Sequence, residues 1–145
     1  MKIVAVAIVA SLAWSGCSVA DSGTPQYFEW GKNFSLRAGE SAQVRGEALR
    51  VGFEGVTADS RCPKGEQCFW AGDAIARIWT QKGAGRREMH ELHTALGAAQ
   101  AVHVLGHELR LVRLDPYPVS GKMIANAGPF ATLMLSRNPT TESDR

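Results

Sequence analysis

The chain has 145 residues, of which 45% are hydrophobic and 21% are charged, with 16 basic and 14 acidic side chains. This length fits one domain, and the formal net charge of +2 lacks the basic excess that is typical of a nucleic-acid binder, so no nucleic-acid partner is expected. High apolar content combined with low net charge also excludes an intrinsically disordered chain.

An export signal is predicted over residues 1–20. Met1-Lys2 forms a short basic start, and residues 3–13 form an almost unbroken apolar run. This run fits the core of a signal peptide and is too short to span a bilayer, which takes about 20 residues. We therefore expect no transmembrane helix in the mature chain, which would touch a membrane only through a lipid on its N-terminus.

Two interpretations of the cleavage site stay open. Ser18-Val19-Ala20 is an ordinary secretory site that would release a protein beginning at Asp21. Alternatively, Ser15-Gly16-Cys17 resembles the lipobox of bacterial lipoproteins, in which Cys17 would be lipidated before cleavage, although Trp14 departs from that pattern. The serine after Cys17 would direct such a lipoprotein to the outer membrane. Both interpretations predict an exported protein, which is periplasmic, anchored in the outer membrane or secreted.

Residues 21–137 carry apolar side chains at every second position, as in Leu49, Val51 and Phe53, which is typical of half-buried strands. Glycine and proline turns separate these segments. The pattern predicts an all-β fold, a single antiparallel β-sandwich, Ig-like or barrel-like, of seven or eight strands. A helical turn or two is expected within residues 94–100, and residues 138–145 are expected to form a flexible tail. The strand-like segments are the region of Phe34 and Leu36, Leu49–Val56, Ala74–Trp79, Glu88–Thr94, Ala101–Leu105, His107–Leu114 and Phe130–Ser136.

The two cysteines of the mature domain, Cys62 and Cys68, are predicted to form a disulfide because they lie close together in an exported chain. Pro63 and Gly65 supply the bend that such a small ring requires. The bond would stabilise the domain by roughly 2 kcal/mol on the chain-entropy estimate. A zinc site would need further ligands of the same kind, and a redox pair is usually C-x-x-C, so both alternatives are weaker.

The sequence around this loop resembles a known family. Asp59-Ser60-Arg61-Cys62-Pro63, followed by Cys68 and Trp70-Ala71-Gly72, is similar to the shared motif of small exported bacterial proteins that are often lipoproteins. The similarity extends downstream to Leu92-His93-Thr94 and to Leu114-Asp115-Pro116-Tyr117-Pro118, and so covers roughly residues 34–135. The resemblance implies a compact β-sandwich. It implies no activity, because no function is established for that family.

The loop has a structural and a functional interpretation. In the structural one, Asp59 and Ser60 hydrogen-bond to nearby backbone and Arg61 pairs with Asp59 or Asp73. In the functional one, the rigid loop presents side chains to an envelope protein or glycan, because a preorganised loop binds with less ordering cost. We favour the structural role for residues 59–61. The candidate recognition residues are Arg61, Lys64, Glu66, Gln67, Phe69 and Trp70.

All four histidines, His90, His93, His103 and His107, fall within one short stretch. Across neighbouring strands they could bind zinc or copper, with methionine thioethers suited to Cu(I), or they are ordinary surface histidines. The segment His90-Glu91-Leu92-His93 lacks the spacing of a zinc protease, and no catalytic motif is present, so neither catalytic residues nor a cofactor is predicted. The sequence predicts a non-catalytic exported β-sandwich with a binding or structural role. A periplasmic copper- or zinc-binding protein using the His90–His107 cluster is the alternative.

Overall fold

A computed structural model of the chain describes residues 25–122 and 128–137. The predictions for the signal peptide, lipidation of Cys17, cleavage after Ala20 and the tail at 138–145 lie outside the described residues.

The fold is all-β, as the sequence predicted, and two sheets pack face to face. Nine strands are described where the sequence predicted seven or eight. The two unpredicted strands are short: β1 has three residues, and β3 has only Ala42 and Val44 as inward apolar positions. The strands are β1 Gln26–Phe28, β2 Asn33–Arg37, β3 Ser41–Val44, β4 Leu49–Asp59, β5 Ala74–Lys82, β6 Arg87–His93, β7 Ala101–Val104, β8 His107–Asp115 and β9 Phe130–Arg137.

One sheet has the strand order β1-β3-β4-β5-β6 and the other has the order β2-β9-β8-β7. Strand β1 pairs with β3 in parallel, and every other pairing among the described strands is antiparallel. Strands β4 and β8 finish at the same end of the sandwich, where residues 59–73, 94–100 and 116–122 form loops. We call this end the loop end. The opposite end, with the β5–β6 and β7–β8 turns, is the far end.

The core lies between the two sheets because alternate side chains of each strand point inward. In β4 these are Leu49, Val51 and Phe53, and in β9 they are Ala131, Leu133 and Leu135, all buried. Residues from both sheets form one continuous apolar cluster. Burial of this cluster is the main force that stabilises the described domain.

Residues 94–100 form no helix, so that expectation was wrong. The Asp73 side chain accepts hydrogen bonds from the backbone N–H groups of Thr94 and Ala95. The backbone N–H of His93 donates to the carbonyl of Ala99. Gly97, in the middle of the segment, has a φ of +86°, which lies outside the helical region, so the segment is an irregular loop that these bonds hold in place. Within the part of the chain that the structure describes, no helix is long and apolar enough to cross a membrane.

Candidate functional site

The disulfide between Cys62 and Cys68 is present, with Cα atoms 6.0 Å apart, which confirms the predicted pairing. It lies within the loop that joins β4 to β5. At the base of this loop the backbone N–H of Ser60 donates to the Asp73 carbonyl at 2.6 Å. The N–H of Cys62 donates to the Ala71 carbonyl at 2.8 Å. The loop therefore continues the ladder between its flanking strands, and the disulfide closes its outer part.

Gly72 allows the two sides of the loop to approach each other closely. Its φ of +72° lies in the left-handed region, and a Cβ at this position would lie 1.8 Å from the carbonyl oxygen of Ser60. Any larger residue would collide with backbone that cannot move aside. The glycine of the Trp70-Ala71-Gly72 motif thus has a steric role in closing the loop.

Arg61, one of the six candidate recognition residues, is only 8% exposed and belongs to the inside of the loop. Its Nε and Nη2 atoms donate to the two carboxylate oxygens of Asp59 at 2.9 and 2.6 Å. Its guanidinium also donates to the carbonyls of Leu114 at 2.8 Å, on β8 of the other sheet, and of Pro116 at 3.1 Å, in the loop that follows β8. The hydrogen bonds and positive charge of Arg61 lower the pKa of Asp59 below its usual 3.8. This geometry matches the structural interpretation of residues 59–61.

The segment 116–122 braces the disulfide loop from the second sheet. Its Tyr117 hydroxyl donates to the Cys62 carbonyl at 2.9 Å, and the Tyr117 ring lies beside the cationic groups of Arg61 and Lys64. Lys64 exchanges backbone hydrogen bonds at 3.0 Å with residues 118 and 120. The hydroxyl of Ser120 donates to the carboxylate of Glu66 at 2.8 Å. Two of the candidate recognition residues, Lys64 and Glu66, therefore also hold the loop against its neighbour.

Asp73 ties the disulfide loop to the third loop, residues 94–100. Its carboxylate accepts the backbone N–H groups of Thr94 and Ala95, and its second oxygen lies 2.5 Å from Nδ1 of His93. Burial raises the pKa of Asp73, but the hydrogen bonds from His93, Ala95 and Thr94 outweigh it and leave the pKa below 3.8. All three loops of the loop end are thus joined by side-chain contacts.

Large apolar side chains project from this braced end into solvent. Phe69 and Trp70 are 101% and 81% exposed, and Leu96 on the adjoining loop is 92% exposed. Val112, Tyr117 and Val119 add further exposed apolar surface at the same end. Among the described residues, the other exposed large apolar side chains, Tyr27, Met89 and Leu105, lie elsewhere. Such a concentration of apolar surface at one end is typical of an interaction site.

A shallow groove of about 290 Å³ lies beside these side chains. Leu96, Val112 and Tyr117 contribute to its lining, and the buried Arg61 lies at its base. Neither Leu96 nor Val112 was a predicted site residue, because Leu96 lies in the segment expected to be a short helix and Val112 in an ordinary predicted strand. Tyr117 belongs to the downstream part of the family resemblance, which was the only indication of it.

The four histidines lie in both sheets: His90 and His93 on β6, and His103 and His107 on either side of the β7–β8 turn. Nε2 of His90 lies 2.9 Å from the Thr80 hydroxyl, and burial lowers the pKa of His90, against the opposing effect of Glu88. His93 contacts Asp73, and the His107 ring packs against Trp30 at a tilt of 60°, with the ring centroids 4.5 Å apart. In residues 25–122 and 128–137, no three His, Cys, Asp or Glu side chains are placed to hold a metal ion. Metal binding stays a prediction.

The chain matches no protein-family model, no curated protein and no solved structure. The similarity of the Asp59–Gly72 segment to exported bacterial proteins therefore stays a prediction that depends on the motif residues. The contacts above explain several of these residues in structural terms, namely Asp59, Arg61, Cys62, Cys68 and Gly72.

Proposed function

We propose that the chain is an exported, non-catalytic protein of the cell envelope, either anchored by a lipid on Cys17 or secreted after cleavage at Ala20. Its loop end would be the surface that binds an envelope component. The disulfide between Cys62 and Cys68 is weakly compatible with an oxidising compartment outside the cytoplasm. The sequence alone led us to expect a protein or a glycan as the bound component.

One observation carries the proposal: Phe69 and Trp70 are almost fully exposed although the loop that bears them is fixed in place. The disulfide, the Arg61 hydrogen bonds and the contact with Tyr117 restrain this loop on three sides. Large aromatic side chains on a rigid support lose little conformational entropy on binding, and they dominate the energetics of many interfaces.

Binding to envelope components by the exported protein tests this proposal. We expect photo-crosslinking or glycan binding by the wild type to be lost in the double variant Phe69→Ser/Trp70→Ser. The matched control is Tyr27→Ser/Leu105→Ser, which removes two exposed apolar side chains outside the loop end and should bind as the wild type does. Equal binding by both double variants would contradict the proposal.

Mass spectrometry of the mature N-terminus tests export and anchoring separately. We expect either an acylated N-terminal Cys17 or a free N-terminal Asp21. A chain that keeps Met1 and is recovered from the cytoplasm would contradict export.

A further inference from the structure

The three most exposed large apolar side chains among the described residues all belong to the loop end: Phe69, Trp70 and Leu96. They project from two different loops, which the carboxylate of Asp73 joins through its bonds to Thr94 and Ala95. The two loops that carry the three side chains are therefore bonded to each other.

The ring centroids of Phe69 and Trp70 are 6.4 Å apart and the ring planes are inclined by 49°, so the two rings do not form one flat face. A side chain exposed over its whole surface is best covered by a medium that surrounds it. The interfacial region of a bilayer is such a medium, and tryptophan is enriched there because its ring is apolar and its N–H is polar.

Two lysines lie among the charges of the loop end. Asp59 and Asp115 form ion pairs with Arg61 and Arg113, while Asp73 contacts His93 and Glu66 accepts a hydrogen bond from Ser120. Lys64 and Lys122, in contrast, form no ion pair within the described residues. Their ammonium groups, of which that of Lys64 lies 5.5 Å from the centroid of the Tyr117 ring, are suited to lipid phosphates.

We propose that the loop end inserts Phe69, Trp70 and Leu96 into the interfacial region of a phospholipid bilayer that contains anionic lipids, with Lys64 and Lys122 at the headgroups. This inference depends on the proposed function, because it takes the loop end as the binding surface, and it names lipid as the bound component. In an anchored protein it would add a second membrane contact to that of the acyl chain, and two contacts hold a protein far more firmly than one.

The test uses the exported protein carrying Cys17→Ser, so that no acyl chain can account for binding. It is sedimented with phosphatidylcholine vesicles with and without phosphatidylglycerol. We expect binding that is stronger with phosphatidylglycerol and that falls by about a hundredfold in Phe69→Ser/Trp70→Ser, since each of the two large apolar side chains contributes roughly tenfold. Lys64→Gln/Lys122→Gln should lose only the preference for phosphatidylglycerol.

Two further variants distinguish insertion of the Phe69, Trp70 and Leu96 side chains from nonspecific binding of apolar surface. Tyr27→Ser/Leu105→Ser should bind vesicles as the wild type does. Trp70→Phe should also bind, but should lose the quenching of tryptophan fluorescence by brominated acyl chains that the wild type shows. Thermal unfolding of each variant verifies that the fold is intact, which we expect because the substituted side chains are exposed.

The outcomes distinguish this inference from the proposed function. The inference is overturned if the protein that carries only Cys17→Ser binds neither kind of vesicle. It is also overturned if that protein binds but its tryptophan fluorescence is not quenched by the brominated acyl chains. If Phe69→Ser/Trp70→Ser then still loses binding to an envelope protein or glycan, the proposed function stands without lipid. If Phe69→Ser/Trp70→Ser binds vesicles, envelope proteins and glycans as the wild type does, both proposals fail.

Discussion

Gly52 lies directly beneath the indole of Trp79, so close that a Cβ on Gly52 would be 2.0 Å from Cε2 of the ring. The two residues are paired across β4 and β5 on the outer face of the five-stranded sheet. Arg87 covers the other side of the indole, with its guanidinium carbon 4.0 Å from the ring centroid. Trp79 is thereby buried on a face that would otherwise meet solvent. The absence of a side chain at Gly52 makes this packing possible.

The first prediction concerns this pair. Gly52→Ala should lower the free energy of unfolding by about 3 kcal/mol, because the methyl group must displace the indole from a packed position. Chemical denaturation of the single variants and of Gly52→Ala/Trp79→Leu measures the coupling between the two residues. In the double variant the clash is gone, so the cost of the alanine should largely disappear. A Gly52→Ala protein as stable as the wild type would contradict the packing.

The second prediction concerns Arg61. Arg61→Met should cost roughly 3 kcal/mol, because it leaves the Asp59 carboxylate and two carbonyls without their donor. Arg61→Lys should recover only part of this, since an ammonium group cannot reproduce the forked geometry of the guanidinium. The control is Arg77→Met, which breaks an exposed pair with Glu54 and should change stability by less than about 0.5 kcal/mol. Similar losses at both positions would count against a buried role for Arg61.

The third prediction concerns the disulfide. Cys62→Ser/Cys68→Ser should lower the free energy of unfolding of the exported protein by about 2 kcal/mol. This is the contribution expected when the unfolded chain is freed from a closed seven-residue ring. Dithiothreitol should lower the melting temperature of the wild type to about that of the serine variant. It should leave the melting temperature of the serine variant unchanged. Titration of two free thiols in the exported protein under oxidising conditions would show that the bond is not formed.

The fourth prediction concerns acid. Hydrogen bonds and charge from Arg61 hold the pKa of Asp59 below 3.8 in the folded state. As the pH falls, the Asp59 carboxylate is therefore protonated in the unfolded state before it is protonated in the folded state. The stabilisation from this pair is therefore present above pH 3.8 and is lost as the pH drops toward the folded pKa. The slope of melting temperature against pH should be smaller in Asp59→Asn than in the wild type over this acid range. It should not vanish, because Asp73 has a lowered pKa as well. An unchanged slope would contradict the depressed pKa of Asp59.

The two-sheet fold was predictable because long strands such as β4 and β8 place an apolar side chain at every second position. The short strands were not. The β1 segment Gln26–Phe28 buries only Phe28, and its pairing with β3 is parallel, which no local pattern reveals. The helix expected at 94–100 is interrupted by Gly97, whose φ of +86° lies outside the helical region, and the segment is instead tied to Asp73, 21 residues earlier in the chain.

The candidate site was predictable in part. The spacing of Cys62 and Cys68 indicated the disulfide, and the adjoining Phe69 and Trp70 were identified as possible contacts. The burial of Arg61 was not evident, because it depends on carbonyls more than fifty positions away, at Leu114 and Pro116. The contribution of Leu96 likewise depends on two loops meeting in space rather than on any motif.

The base of the disulfide loop has a practical consequence. Its two ends are fixed side by side where Asp59 pairs with Ala74, and the backbone bonds of Ser60 and Cys62 continue that pairing outward. The exposed side chains of Phe69 and Trp70, which lie outside this bracing, can therefore be exchanged for others while the supporting frame keeps its geometry. The loop is thus suited to the display of new side chains on a fixed support.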